Sequence, residues 1–321
     1  MKKESAACYR APDGHLGKKG FWFTVGRNRI LLLMLIPAFV YFLINSYIPM
    51  VGIYYAFTKY NFRGGLFGSP FVGFENFEYL FKSGTLLNLT KNTILYNIVF
   101  IVVGNALQIF VAILISRMVG KVYKKITQSL MFLPYFVSSV ILGVLVYNLF
   151  NYEHGFFNSM LAGFGIEPVD VYNTPGYWPF IITAFYVWKG LGYGMVIYLA
   201  SILGISNDLY EAATIDGATV FQQIRHITLP LLKPTFITLF LFSLGSIMRG
   251  QFDLFYQLIG NNGVLYATTD IIDTYVYRSL ISYFDVGLGT AAGVYQSVFG
   301  FILIVVVNAV VKRINEDYAL F

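Results

Sequence analysis

Long apolar segments alternate with short polar connections along the chain. A membrane-spanning helix needs about 20 consecutive, mostly apolar residues, and six segments reach that length. They cover residues 30–49, 93–116, 130–150, 178–203, 235–256 and 288–311. The pattern therefore predicts an all-α membrane protein with about six transmembrane helices. An even number of spans places both termini on the same side of the membrane.

Composition agrees with this fold class and argues against disulfide and metal sites. Hydrophobic residues make up 57% of the 321 and charged residues 12%, whereas soluble domains carry about 25% charge. Cys8 is the only cysteine, so no intrachain disulfide is possible. His15, His154 and His226 are scattered over both sides of the predicted topology. We therefore expect no metal site and no cofactor bound by this chain.

The basic residues set the predicted orientation, because cytoplasmic connections are enriched in Lys and Arg. Most of them lie in the tails at residues 1–29 and 312–321, in the connection after the second span and in the loop 204–234. We predict that these parts are cytoplasmic and that residues 30–311 form one transmembrane domain. The net charge of +6 then reflects topology and indicates no nucleic-acid partner.

The connections on the opposite side contain the segments "FVGFENFEYLF" and "TTDIIDTYVYRSLISYF". Their aromatic residues suit the boundary between membrane and water. We expect short interfacial helices there, in contact with the lipid of the outer leaflet.

The loop 204–234 is polar where its neighbours are apolar. Ser206 can cap a short helix, and Gly217 permits the left-handed backbone that ends one. Pro230 and Pro234 are expected to end a second short helix and to begin the next span. The predicted structure is a helix, a glycine turn and a second helix, lying on the inner leaflet or docked on another protein.

Several fixed elements of this loop resemble the EAA motif of bacterial ATP-binding-cassette (ABC) importer permeases. Glu211-Ala212-Ala213, Gly217 and Ile227-x-Leu229-Pro230 match that motif at the family's spacing. The longer string "EAATIDGA…ITLPLLKP" resembles the carbohydrate-importer branch. The segments "LIPAFVYFLINSYIPMVGIYYAF" and "NEDYALF" are similar to the beginning and the end of permeases for oligomeric sugars. The long charged N-terminal tail is the least typical part.

The resemblance implies a type I importer permease in the bacterial inner membrane, with partners. In that family the EAA loop is a coupling helix that binds a cytoplasmic ATPase. The expected docking residues are Glu211, Ala212, Ala213, Asp216, Gly217 and Ala218, with Ile227, Leu229 and Pro230 as the anchor. The expected partners are a second, non-identical permease subunit, two ATPase subunits that hold ATP and Mg, and an extracytoplasmic solute-binding protein. The sequence contains no phosphate-binding loop of its own.

Three charged residues, Lys189, Arg249 and Asp253, lie at predicted membrane depth. Each costs roughly 2.5–3.5 kcal/mol there, so such residues face a cavity or a partner. Arg249 and Asp253 are one helical turn apart and can pair with each other. Alternatively, all three belong to a polar translocation pathway. The expected lining of that pathway is Lys189, Tyr193, Arg249, Gln251, Asp253, Tyr256 and Gln257.

The cargo implied by the resemblance is an oligosaccharide, which hydrogen-bonding side chains and aromatic faces can hold. Two cations at depth suit the carboxylates of an acidic, uronate oligosaccharide, and importers of alginate fragments resemble this chain. The pairs Gly190-x-x-x-Gly194 and Gly289-x-x-x-Gly293 predict close approach between helices.

Three alternatives remain at this point. The chain could serve a different solute within the same ABC class. It could be an integral membrane enzyme that binds a divalent cation at Asp270-x-x-Asp273, although a second acidic cluster is missing. It could be a stand-alone secondary transporter, for which six helices are few and the loop 204–234 has no explanation. We expect a transporter subunit that is not an enzyme.

Overall fold

The computed structural model describes residues 9–10, 16–17 and 28–314. Its α-helices are, in chain order, α1 (Arg29–Phe42), α2 (Gly65–Gly68), α3 (Glu75–Lys82), α4 (Thr85–Ser116), α5 (Lys121–Phe132), α6 (Ser139–Phe150), α7 (Phe156–Gly163), α8 (Trp178–Leu203), α9 (Asn207–Ile215), α10 (Val220–Gln223), α11 (Leu229–Gly245), α12 (Phe252–Ile259), α13 (Tyr266–Thr269), α14 (Ile272–Ile281) and α15 (Val286–Ile314). Short 3-10 helices cover Ile48–Phe57, Leu133–Phe136, Val171–Asn173, Pro175–Tyr177 and Gly263–Leu265, and π-helical turns cover Leu43–Tyr47 and Ile224–Thr228. Most of the predicted tail 1–29, with His15, and residues 315–321 lie outside the described residues.

The chain divides into two units, one up to residue 54 and one from residue 55 onward. In the first, β1 (Tyr9–Arg10) pairs antiparallel with β2 (Leu16–Gly17), and α1 follows. The second unit holds α2 to α15 and all the sites described below. Apart from the two-residue strand pair, the described residues confirm the predicted all-α fold.

Five helical stretches among the described residues are long and apolar enough to cross a membrane. They are Arg29–Phe57, Thr85–Ser116, Pro175–Leu203, Val220–Gly245 and Val286–Arg313. A sixth candidate is a bent pair, Lys121–Phe136 with Ser139–Phe150. The prediction of about six spans is therefore confirmed.

The third predicted span, 130–150, is not one straight helix. Its two halves meet at an angle of 92°. Pro134 has no N–H to continue the hydrogen-bond ladder, and Val137 is extended. Ser138 then starts α6 as an N-cap, because its side chain accepts the Ile141 N–H at 3.3 Å.

The fifth predicted span, 235–256, had the wrong bounds. The helix begins earlier and runs continuously over Val220–Gly245. Neither Pro230 nor Pro234 ends it as predicted. The π turn Ile224–Thr228 precedes Pro230 and widens the backbone where its ring would otherwise clash, and Pro234 lies inside α11. Residues 246–251 are not α-helical and separate α11 from α12. We name this segment the break.

Helices α4 and α8 pack along much of their length. Gly194 permits that contact, because a Cβ there would clash with the Gln108 side chain of α4; at Gly192 a Cβ would clash with the Met131 carbonyl of α5. The prediction of close approach is confirmed at Gly194, and at Gly289, where a Cβ would lie 3.1 Å from Leu280. Gly190 and Gly293 have no neighbour within 4 Å of such a Cβ, so close packing does not require glycine at these two positions.

Candidate translocation cavity and coupling loop

A cavity of about 680 Å³ opens between the helices of the second unit. Its walls come from α4, α6, α8, α11, α12, the break and the 3-10 helix Leu133–Phe136. Its lining combines polar and aromatic side chains with aliphatic ones. Polar side chains within apolar spans face a cavity or a partner.

Four of the predicted pathway residues line this cavity: Lys189, Tyr193, Gln251 and Asp253. The Lys189 ammonium donates to the Ser139 hydroxyl at 3.2 Å, which leaves two of its three N–H groups for other acceptors. The Tyr193 ring stacks on the Tyr135 ring, with centroids 5.0 Å apart and planes 15° apart. The cavity thus offers a cation, a carboxylate and a two-ring aromatic wall.

The other three predicted residues do not line the cavity. Arg249 lies exposed in the break, and no ion pair joins it to Asp253 among the described residues, because the break interrupts the helix on which the pairing depended. Tyr256 packs between Phe252 and Tyr277, with centroids 5.4 and 4.9 Å away. Gln257 faces α6, where Gly143 leaves room for its carbonyl.

Three amide side chains of α4 line the cavity and were missed: Asn97, Asn105 and Gln108. The buried Tyr198 hydroxyl donates to Asn105 Oδ1 at 2.6 Å, and Asn105 Nδ2 donates to the Ile101 carbonyl at 2.7 Å. One N–H of Asn105 remains for a cargo. The signal was present in the sequence, because positions 97, 101, 105 and 108 share one helical face.

The two acids of the enzyme alternative, Asp270 and Asp273, both have hydrogen-bond donors. Asp270 forms a buried ion pair with Arg278, at 3.1 and 2.5 Å. Asp273 accepts the Gly250 N–H at 2.7 Å and the Gln296 amide at 3.0 Å. The described residues contain no group of three or more His, Cys, Asp and Glu side chains placed to hold a metal ion.

The loop 204–234 has the predicted first helix and glycine turn, whereas its second helix is the beginning of the continuous helix Val220–Gly245. Ser206 caps α9 by accepting the Asp208 N–H at 3.3 Å. Gly217 follows with φ +79°, and two backbone bonds close the turn, from Gly217 to Thr214 at 3.1 Å and from Ala218 to Ala213 at 2.8 Å. This is the Schellman arrangement, which satisfies the last carbonyls of a helix.

The surface of α9 and its turn is exposed. Glu211, Ala212, Asp216 and Gly217 are exposed, while Ala213 and Ala218 are half-buried. Ile215 is 87% exposed although it is apolar. Of the predicted anchor, Ile227 is half-buried and Leu229 and Pro230 are exposed. An exposed apolar group beside alanines suits contact with another protein.

Side chains hold this loop against the end of α4. Arg117 donates to the side-chain Oε1 of Gln223 at 3.0 Å, and its guanidinium lies 4.8 Å from the centre of the Tyr210 ring. Buried Gln223 in turn donates to Thr214 at 2.9 Å, and the Tyr210 and Thr228 hydroxyls are 3.0 Å apart. These contacts fix the position of α9 relative to the helix that carries the three cavity amides.

A bundle of apolar spans around a polar cavity, with one polar loop held against it, is the arrangement expected of a membrane permease. The family model described as "Binding-protein-dependent transport system inner membrane component" matches residues 104–316. The chain belongs to this family. It is a multi-pass inner-membrane permease of an ABC importer, a transporter subunit and not an enzyme.

Individual relatives cover nearly the whole chain. The polygalacturonan/rhamnogalacturonan transport system permease protein of Bacillus subtilis (strain 168) is 32% identical over 91% of this chain and 90% of that protein. The trehalose/maltose transport system permease protein of Thermococcus litoralis is 30% identical over 88% and 92%. A chain of the bacterial alginate ABC transporter, solved with an alginate pentasaccharide-bound periplasmic protein, is 32% identical, with a TM-score of 0.81 over 92% of this chain and 98% of that chain.

Proposed function

We propose that this permease forms half of the translocation pathway of an ATP-driven importer for oligosaccharides. The observation that carries the proposal is the composition of the cavity wall. Stacked Tyr135 and Tyr193 provide an apolar face for a sugar ring, while Asn105, Gln108 and Lys189 provide hydrogen-bonding groups for its hydroxyls. The sugars named for the relatives support this cargo class.

The loop 204–234 is the proposed site of energy coupling. Glu211, Ala212, Ala213, Asp216, Gly217 and Ala218 would contact an ATPase subunit, and Ile227, Leu229 and Pro230 would join that surface to the fifth span. Support comes from the exposed apolar side chains Ile215, Val220 and Phe221 of this loop, which suit a contact with another protein. The loop and both termini would then face the cytoplasm, where two ATPase subunits bind ATP and Mg.

The complete importer would also contain a second, non-identical permease subunit and an extracytoplasmic solute-binding protein. Co-purification tests this composition. We expect a tagged form of this chain, extracted in mild detergent, to retain two ATPase copies and one further permease. Isolation of this chain alone, with full uptake activity after reconstitution, would contradict the proposal.

An acidic oligosaccharide is the proposed cargo within this class. Support comes from the Lys189 ammonium in the cavity and from the similarity to a transporter of alginate, described as an acidic polysaccharide. Asp253 also lines the cavity, whereas Arg249 does not. Lys189 is therefore the one predicted cation that the geometry leaves for a cargo carboxylate.

Replacing Lys189 with Gln tests the acidic cargo. Loss of a charge-assisted hydrogen bond, worth about 1.5–3 kcal/mol, should lower uptake of an alginate-derived oligosaccharide by roughly tenfold or more. Uptake of a neutral oligosaccharide should change little. Lys91→Gln is the matched control, because Lys91 is exposed and does not line the cavity. Import of neutral sugars only by the unmodified protein would contradict the acidic cargo and leave the permease assignment intact.

A further inference from the structure

The break at residues 246–251 is held by side chains from three other helices. The Met248 carbonyl accepts the Gln296 amide of α15 at 2.6 Å, and the Arg249 carbonyl accepts the Asn97 amide of α4 at 3.3 Å. The Gly250 N–H donates to Asp273 Oδ2 of α14 at 2.7 Å. A broken helix at membrane depth persists only where its freed backbone groups find such partners.

Asp273 is central to this arrangement. One carboxylate oxygen accepts both the Gly250 N–H and the Gln296 amide, so it joins the break to α15. Asp270, on the same connection, is neutralised by Arg278, but no ion pair involves Asp273 among the described residues. Its carboxylate therefore binds the backbone of the break and does not pair with a neighbouring cation.

Glycine at position 250 makes this contact possible. A Cβ there would lie 2.6 Å from Asp273 Oδ2 and would also clash with the Ile271 side chain. The absence of a side chain lets the carboxylate of α14 reach the backbone of the break.

The break also contributes residues to the cavity wall. Gly250 and Gln251 line it, followed by Asp253 in the first turn of α12. Asp273 itself is not part of the lining. If the half-buried Gly250 N–H lost its acceptor, a backbone donor at membrane depth would be left without its protein partner, and we expect the segment that carries Gln251 to rearrange.

We propose that Asp273, with Gln296, is a positioning residue of the translocation cavity, which holds the break so that Gln251 and Asp253 face the cargo path. The role in transport rests on the proposed function of the cavity. The role in positioning Gln251 does not, and it can be measured without any cargo.

Thiol labelling reports the position of Gln251 directly. In a Cys8→Ser background, Gln251→Cys supplies the only thiol of the chain. We expect Asp273→Ala to change its labelling rate by a charged methanethiosulfonate reagent several-fold, in vesicles that contain the whole importer. Asp273→Asn keeps an oxygen acceptor for the Gly250 N–H and should label like the parent. Asp285→Ala is the control, because Asp285 is an exposed acid of a neighbouring connection that has no contact with the break.

Transport gives the second measurement. With an alginate-derived oligosaccharide as the probe, Asp273→Ala should raise the apparent KM roughly tenfold, because small displacements of positioned groups cost that much or more. The maximal rate of ATP hydrolysis should stay near the parent value. Failure of uptake in the parent protein would count against the cargo alone, since labelling is independent of it.

Two results would overturn the positioning role. One is an unchanged labelling rate in Asp273→Ala. The other is an Asp273→Asn variant that behaves like Asp273→Ala, because that would assign the effect to charge and not to the acceptor. If Asp273→Ala fails to insert, Gln296→Met removes the donor shared by Asp273 and Met248, and unchanged labelling in that variant overturns the proposal equally.

Discussion

Valine in place of Gly217 is expected to leave the protein inserted in the membrane but to uncouple ATP hydrolysis from transport. Gly217 adopts φ +79° to close the turn after α9. A residue with a Cβ loses roughly 1–2 kcal/mol in that conformation, and a β-branched residue tolerates it least. A Cβ would meet nothing within 4 Å, so the effect comes from the backbone and not from a clash. Uptake by the reconstituted importer should fall roughly tenfold, since 1.4 kcal/mol corresponds to that factor.

Gly217→Asn is the matched control for this variant. Asparagine enters the left-handed region more readily than other non-glycine residues, so uptake should remain near the parent value. Uptake and ATPase activity are measured on the same proteoliposomes, and the quantity compared is cargo moved per ATP hydrolysed. Undiminished uptake with Gly217→Val would rule out a coupling role for this turn.

Arg278→Met is expected to give the largest loss of stability of any single change considered. The Arg278 and Asp270 side chains are only 9% and 8% exposed, and the guanidinium also lies 3.9 Å from the centre of the Tyr266 ring. Burial lowers the pKa of Arg278, but the hydrogen bonds and the charge of Asp270 outweigh it and raise that pKa overall. Removing the cation strands a buried carboxylate, which costs about 3–5 kcal/mol.

Thermal unfolding of the purified protein in detergent measures this loss. A second variant that combines Arg278→Met with Asp270→Asn should regain most of the stability, because the stranded charge is gone. Lys82→Met is the control: its partner Glu78 lies one turn away on α3, and both side chains are largely exposed. Breaking that pair should leave the midpoint unchanged. Equal decreases in the unfolding midpoint for Arg278→Met and Lys82→Met would contradict the conclusion that burial makes the Arg278–Asp270 ion pair important for stability.

Hydrophobic periodicity predicted the spans well and their interruptions poorly. Hydropathy reports whether a residue belongs in lipid, and it identified α4, α8 and α15 closely. It does not report where the backbone stops being helical. The bend before Ser138 and the break after Gly245 depend on a local cap and on partners far along the chain, such as Asp273.

The first half of the loop 204–234, with α9 and its glycine turn, was predictable because its signals are local. Ser206 and Gly217 each act on residues within a few positions. The cavity was predictable only in part. Lys189 was predicted because it is a charged residue in an apolar helix. Asn105 and Gln108 carry no charge, and their shared helical face indicates a site only when α4 is known to form one wall of the cavity.

The 32 residues of α4 form an unbroken rod about 48 Å long at 1.5 Å per residue. Arg117 stands at one end of it, bound to the loop, and Gln108 lies only about 14 Å back along the axis. In the proposed importer, a shift of the loop would be carried along this continuous helix toward the amides of the cavity wall. Thermodynamic reciprocity then requires the reverse as well: a cargo that prefers one setting of those amides biases the position of the loop by the same free energy.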